Sequence, residues 1–282
     1  AIEADNNGEN PYSYVAQRDT SGHGTLLASI SAGSYTDGYV GVAPGAELLV
    51  VKLKQSKQYL RDFFLIKDDV PAFEESDIML ALRFLEDYAI RLGKPLIIIF
   101  GLGSANGSRT GASPLAEMME NLTKKPNISV ITCMGNEANN KCHYKGTVMS
   151  ALVPDVMEIN VDGTGKGFTM EIWADSLDIL SVSIESPSGE YVPRIPARMG
   201  ASMEYTFLYE GSTVTVDYQI TENVAGMEVI FVRLKTPVEG TWKFYIYSLT
   251  NIKGSYNAWL PLKQFSGQDI YCLLYTSPSP RD

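Results

Sequence analysis

Apolar residues recur along this chain with two different periods, and the change near residue 154 divides it in two. Over residues 1–153, helical stripes alternate with short unbroken apolar runs. Residues 46–53, 95–100 and 130–134 are dense in Leu, Val and Ile, the composition of strands buried on both faces. Residues 76–92 set Ile78, Leu82, Leu85 and Ala89 on one helical stripe, and Gly93 followed by Pro95 predicts its end. Ser113 predicts the cap of another helix, with Pro114 at its first position and Leu115, Met118, Met119 and Leu122 along one face. The first half therefore predicts an α/β fold, a parallel sheet flanked by helices.

Beyond residue 154 the period falls to two. Phe168, Met170 and Ile172 alternate with Thr169 and Glu171; Val214, Val216 and Tyr218 with Thr213, Thr215 and Asp217; Trp242, Phe244 and Ile246 with Lys243 and Tyr245. Each such strand should have one face toward solvent. Turn signals recur at Pro187-Ser188-Gly189, Glu210-Gly211-Ser212 and Glu239-Gly240, and residues 167–262 show no helical stripe. Residues 154–262 thus predict an all-β sandwich or jelly roll, with residues 263–271 returning toward the first domain. The tail from Cys272 to Asp282, CLLYTSPSPRD, fits neither period. It resembles the translation of a transposase-based sequencing adaptor, so the protein's own sequence is expected to run off near Tyr271.

Composition narrows the function classes. With 282 residues, 45% of them apolar, the chain can bury a sizeable core. A net charge of -10 would repel a nucleic-acid backbone or an anionic membrane, so neither is expected as a partner. No apolar run approaches the roughly 18 residues needed to span a bilayer. Cys133, Cys142 and Cys272 lack the paired spacing of a zinc site, so no metal or other cofactor is expected. Cys133 reads as a small apolar residue on a buried strand, and nothing in the pattern supports a Cys133–Cys142 disulfide. The start at Ala1 has neither an initiator methionine nor a leader-like segment, which suggests that residues precede it.

Only two histidines exist, so the choice of a catalytic base is narrow. His23 sits in Ser21-Gly22-His23-Gly24-Thr25, ahead of an apolar-rich helical stretch over residues 26–32 that ends at Gly33. Flanking glycines leave room for a substrate or a second backbone beside the imidazole. His143 follows Cys142 in the loop after Asn136 and reads as a loop brace. Gly41-Val42-Ala43-Pro44-Gly45 leads into the apolar run over 46–53, and Gly135-Asn136-Glu137 follows the run over 130–134. Taken alone, Asn136 suits a left-handed turn after a strand.

Taken together and in this order, the SGHGT segment with its small-residue helix, the GVAPGAELLVVKL run and the Gly135-Asn136 pair resemble the subtilase family of serine peptidases. The resemblance implies that His23 relays the proton of a serine nucleophile and that Asn136 donates to the oxyanion. Leu102 and Gly103 would pair with the backbone of a protein or peptide substrate. Gly101 stands where the family has a serine, and Ser29 where a glycine is usual. The family orders its triad Asp, His, Ser. Asp5 and Asp19 precede His23, but neither lies in the expected Asp-Ser/Thr-Gly context, and Asp19 is expected to brace the histidine loop. The alternative for Asp19 is a simply solvated side chain. No Gly-Thr-Ser follows Asn136, and Ser277, beside a proline in the tail, does not qualify.

The β segment narrows the likeness. FTMEIW, Ser186 to Glu190, Val216 to Gln219, Glu239 to Trp242 and Ala258 to Pro261 are similar to the insert of the Csp-type germination proteases of spore-forming bacteria. On that resemblance the insert is structural, and Trp173, Trp242 and Trp259 are read as core residues, not as a sugar platform. The chain is thus expected to be a piece of a bacterial serine endopeptidase that is inactive by itself. Two other readings remain: a pseudoprotease that binds or signals in spore germination, and a ligand-binding jelly-roll protein on an α/β scaffold.

Overall fold

The computed structural model describes residues 7–174, 179–198, 200–220, 227–249 and 254–274. The chain forms two compact units, Ala1–Lys54 with Phe73–Ile97, and Gln55–Ala72 with Ile98–Asp282.

Among the described residues the first unit holds two α-helices, α1 (His23–Ala32) and α3 (Glu75–Leu92); between them in sequence lies α2 (Gln58–Phe63) of the second unit. Helix α3 forms where its stripe predicts. Leu82 and Ala89 are buried, Glu75 and Asp77 lie in the first turn and Arg91 in the last, matching the macrodipole. Gly93 takes the left-handed C-cap, its N–H reaching the Ala89 and Ile90 carbonyls. Residues 46–53 differ from expectation. They run as irregular chain, with Val50 69% exposed. An apolar run becomes a strand only where a neighbour completes its backbone hydrogen bonds, and among the described residues none does.

Strand β1 (Leu96–Phe100) leads into the second unit, where α4 (Pro114–Thr123) packs on β2 (Ile128–Thr132). Ser113 caps α4 by accepting from the Ala116 N–H at 3.1 Å. β1 and β2 form a two-stranded sheet. Neither strand is buried on both faces: Ile98 is 4% exposed, whereas Ile97 is 65% exposed and Ile131 is also open. A two-stranded pair has no second neighbour at either outer edge, so it cannot reproduce the enclosure of a wide parallel sheet.

The rest of the second unit is an unclosed antiparallel sandwich of the jelly-roll kind. One sheet has the order β3-β12-β5-β10-β9-β8, built from β3 (His143–Val148), β5 (Gly167–Ala174), β8 (Ser202–Thr206), β9 (Thr213–Ile220), β10 (Glu228–Lys235) and β12 (Gly254–Trp259). The other has the order β13-β4-β11-β6-β7, built from β4 (Asp155–Asp162), β6 (Leu180–Glu185), β7 (Tyr191–Ile195), β11 (Gly240–Ser248) and β13 (Asp269–Cys272). Its first strand begins at His143, ahead of the change of period. The inward set is the one that alternation picks out: Phe168, Met170, Ile172, Val214, Val216, Trp242, Phe244 and Ile246 share one core with Met157, Ile159, Val182 and Ile184. Each fully buried large side chain there contributes about 1.5–3 kcal/mol. Gly211, left-handed at φ 69°, closes the β8–β9 hairpin.

The expectation of one wet face fails for β5, and the neighbouring β10 is covered on the same side. Thr169 and Trp173 on the outer face of β5 are buried, as are Val229 and Phe231 on β10. Helix α2 covers part of that face: Phe63 stacks on Phe231 at 5.7 Å between ring centroids, Phe64 meets it edge-on, and Arg233 lies over Phe63. Arg61 secures the turn after α2 by donating to the carbonyls of Lys67, Asp68 and Val70.

Residues 263–265 form a 3₁₀ turn, and β13 pairs with β4. Cys272 is buried at the end of β13 and its N–H reaches the Lys141 carbonyl at 2.9 Å. Residues 275–282 of the adaptor-like tail, with Ser277, lie outside the described residues. Among the described residues no helix is long and apolar enough to cross a membrane.

Candidate active site

His23 is the first residue of α1 and is exposed. Its position is set by residues 19–22 before it and Thr25 after it. Gly22, left-handed at φ 78°, occupies the N-cap and has no side chain with which to satisfy the helix's first amides. Asp19 supplies that oxygen from outside. One carboxylate oxygen accepts from the N–H groups of Ser21 at 3.0 Å and Gly22 at 2.8 Å; the other accepts from the Thr25 N–H and hydroxyl, both at 2.8 Å. The Thr25 bonds, then that from Gly22, hold the Asp19 carboxyl well below the usual carboxylate range. Asp19 thus braces the histidine loop, as the sequence suggests, and lies within the turn instead of at a strand end. Asp5 lies outside the described residues.

The far end of α1 is held as well. The Gly41, Val42 and Ala43 N–H groups donate to the carbonyls of Gly33, Ile30 and Ser31 at 2.9, 3.0 and 2.8 Å. These are carbonyls that a helix C-terminus leaves unpaired. The Ala32-Gly33 end and the Gly41-Val42-Ala43 segment are therefore one docked structure, and their joint appearance in the sequence has a mechanical cause.

In the second unit, the chain after β1 and the chain after β2 run side by side. The Cys133 N–H donates to the Phe100 carbonyl at 3.3 Å and its thiol to the Leu102 carbonyl at 3.5 Å. Leu102 is thereby held against Cys133, three positions before Asn136. Gly135, at φ 88°, takes the left-handed conformation, and Asn136, exposed, does not need it. Glu137 ties this turn down by accepting from the Asn140 side chain at 2.5 Å and from the Lys263 N–H at 3.3 Å. Cys133 is exposed, contrary to its reading as a buried apolar residue, as are Ile131 and Thr132 before it, because the two-stranded sheet leaves this end of β2 uncovered. Cys133 and Cys142 are free thiols, and burial pushes Cys142 up to about 11. His143 lies on β3, not in a loop. It is buried, shares a 2.9 Å hydrogen bond with Asn257, and stands 4.0 Å from the Trp259 ring. That environment braces two neighbouring strands.

One contact escaped the sequence reading. Glu171, at a position assigned to solvent by alternation, accepts from the Gly107 N–H at 2.8 Å and the Trp173 indole N–H at 2.9 Å. Beside it the Arg109 guanidinium lies over Trp259, 3.9 Å from the ring centroid.

A family model described as "Subtilase family" matches residues 2–160, more than half of the chain. The chain belongs to the subtilase family of peptidases. Among solved structures, the Clostridium perfringens CspB protease is similar in fold, with a TM-score of 0.79 and 23% identity, covering 95% of this chain and 54% of that one. The chain thus spans about half the length of that protease. No curated protein sequence matches it.

Proposed function

We propose that this chain supplies the general base, the side-chain oxyanion donor and the peptide-pairing edge of a serine endopeptidase. The observation that carries the reading is His23. It is an exposed imidazole on the first residue of α1, and both ends of that helix are pinned, by Asp19 and by the Gly41 to Ala43 segment. In the reaction His23 takes the proton of a serine hydroxyl as the hydroxyl attacks the peptide carbonyl, and returns it to the leaving amine. The Asn136 amide donates to the oxyanion of the tetrahedral intermediate. The chain over 101–103, which follows β1, receives the substrate backbone by strand addition, with Gly101 leaving that edge less constrained than a serine would. The reading requires no metal or cofactor.

The test uses the full-length protein and a fluorophosphonate, which reports an activated serine. The wild type should label and His23→Ala should not. Asn136→Ala should keep KM close to wild type and lower kcat by about two to three orders of magnitude, the range known for loss of such a donor in subtilisin. Labelling unchanged by His23→Ala would refute the assignment. A wild type that never labels would move the function to binding.

A further inference from the structure

The loop over residues 101–111 starts at the proposed peptide-pairing edge and contains Gly101, Gly103, Gly107 and Gly111. Gly107 and Gly111 are left-handed, at φ 94° and 78°. Such a segment has little conformational preference of its own, so something outside it must define its path. Two contacts from the sandwich do so. Glu171 of β5 accepts the Gly107 N–H, and Arg109 sits on Trp259 of β12 while also donating to the Ala105 carbonyl. A carboxylate enclosed on a sheet face is costly to desolvate, and an apolar side chain would cover β5 without that cost. What the carboxylate adds is direction: it holds one particular backbone amide, four residues beyond Gly103. Burial raises the Glu171 carboxyl, while its two N–H donors and Arg109 favour the charged form.

We infer that Glu171 is a positioning residue for the peptide-pairing edge, fixing the loop that begins at Leu102 and Gly103 through the Gly107 amide, with Arg109 on Trp259 as the second anchor. The inference rests on the proposed role of residues 102–103. It gives the β sandwich a place in substrate recognition without contact to the substrate.

The test is binding of fluorescein-labelled casein, an unfolded polypeptide rich in extended segments, to the full-length protein in a His23→Ala background that prevents cleavage. Glu171→Ala should weaken binding about tenfold, the scale of one lost charge-assisted hydrogen bond. Glu171→Gln keeps an acceptor for the Gly107 N–H and should lose less than about threefold. In the His23-intact protein, Glu171→Ala should raise KM and leave the rate of fluorophosphonate labelling unchanged. Unaltered casein affinity in Glu171→Ala would overturn the inference and leave the catalytic reading standing. A labelling rate that falls in parallel with affinity would also overturn it, since that marks general loosening. If the wild type never labels but Glu171→Ala still weakens casein binding, the catalytic reading fails and the positioning role stands. Should Glu171→Ala prove insoluble, Arg109→Lys decides. It keeps the charge and loses the plane stacked on Trp259, so it should weaken binding severalfold, and unchanged affinity would count against the inference.

Discussion

Gly41→Ala adds one methyl group where backbone already stands. A Cβ built there meets the nitrogen of Gly33, the Ser29 carbonyl oxygen at 2.8 Å and the Ala32 carbonyl carbon at 2.9 Å. All three atoms belong to the end of α1 and its cap, so no side-chain rotation relieves the overlap. The backbone at Gly41 is not left-handed, which makes the cost steric and not conformational. Relief comes by lifting the Gly41 to Ala43 segment away, with loss of up to three backbone hydrogen bonds at about 1 kcal/mol each. Overpacking by a methyl group costs about 1–3 kcal/mol on its own scale, so both routes give roughly 2–3 kcal/mol. Amide hydrogen exchange at Val42 and Ala43 measures this directly, and protection should fall on the order of 30- to 160-fold. Gly24→Ala is the control: its Cβ would lie 3.5 Å from the nearer Asp19 carboxylate oxygen, an ordinary contact, and should leave those amides unchanged. Exchange in Gly41→Ala within about twofold of wild type would refute the docking argument.

Asp19→Ala should speed exchange of the Gly22 and Thr25 amides, and Asp19→Asn, which keeps an acceptor, should do so less. Because the folded-state carboxyl lies below its unfolded value, its contribution is fully present above the ordinary carboxylate pKa of about 3.9 and is lost as pH falls below it. Protection of these amides should therefore be flat from about pH 5 to 8, and a loss within that range would contradict the assignment. In the sandwich, Asp155 accepts from the Tyr144 and Tyr256 hydroxyls at 3.0 and 2.7 Å, and Tyr256 is fully buried. Asp155→Ala should cost about 2–4 kcal/mol in denaturant unfolding, with part recovered when Tyr256→Phe removes the orphaned donor. A double variant no more stable than Asp155→Ala would show that the orphaned hydroxyl is not the source.

Local chemistry made much of the molecule legible. Ser113 with Pro114, and the stripe of α3 ending at Gly93, carry their own start and stop signals, so these helices appear where the pattern puts them. Alternation in β5, β9 and β11 assigns the core side correctly because a period of two has only two phases. The run over 46–53 differs from its pattern for the opposite reason: Leu and Val density suits a strand, but a strand exists only beside a partner. His143 could not be placed from its neighbours, since the Asn257 that meets it lies 114 positions away.

The sequence by itself determined the change from helical to alternating pattern, the start and stop signals of α3 and α4, the inward face of β5, β9 and β11 and the candidacy of His23, Asn136, Leu102 and Gly103. These follow from spacing, caps and motifs within a few residues. Only the tertiary structure decided that the Gly41 segment caps the histidine helix, that α2 packs on the outer face of β10 at Phe231, and that Glu171 holds the Gly107 amide of the loop that begins at residue 101. Such contacts join residues distant in sequence, and their energy depends on shapes and unpaired backbone groups that exist only once the chain has closed on itself.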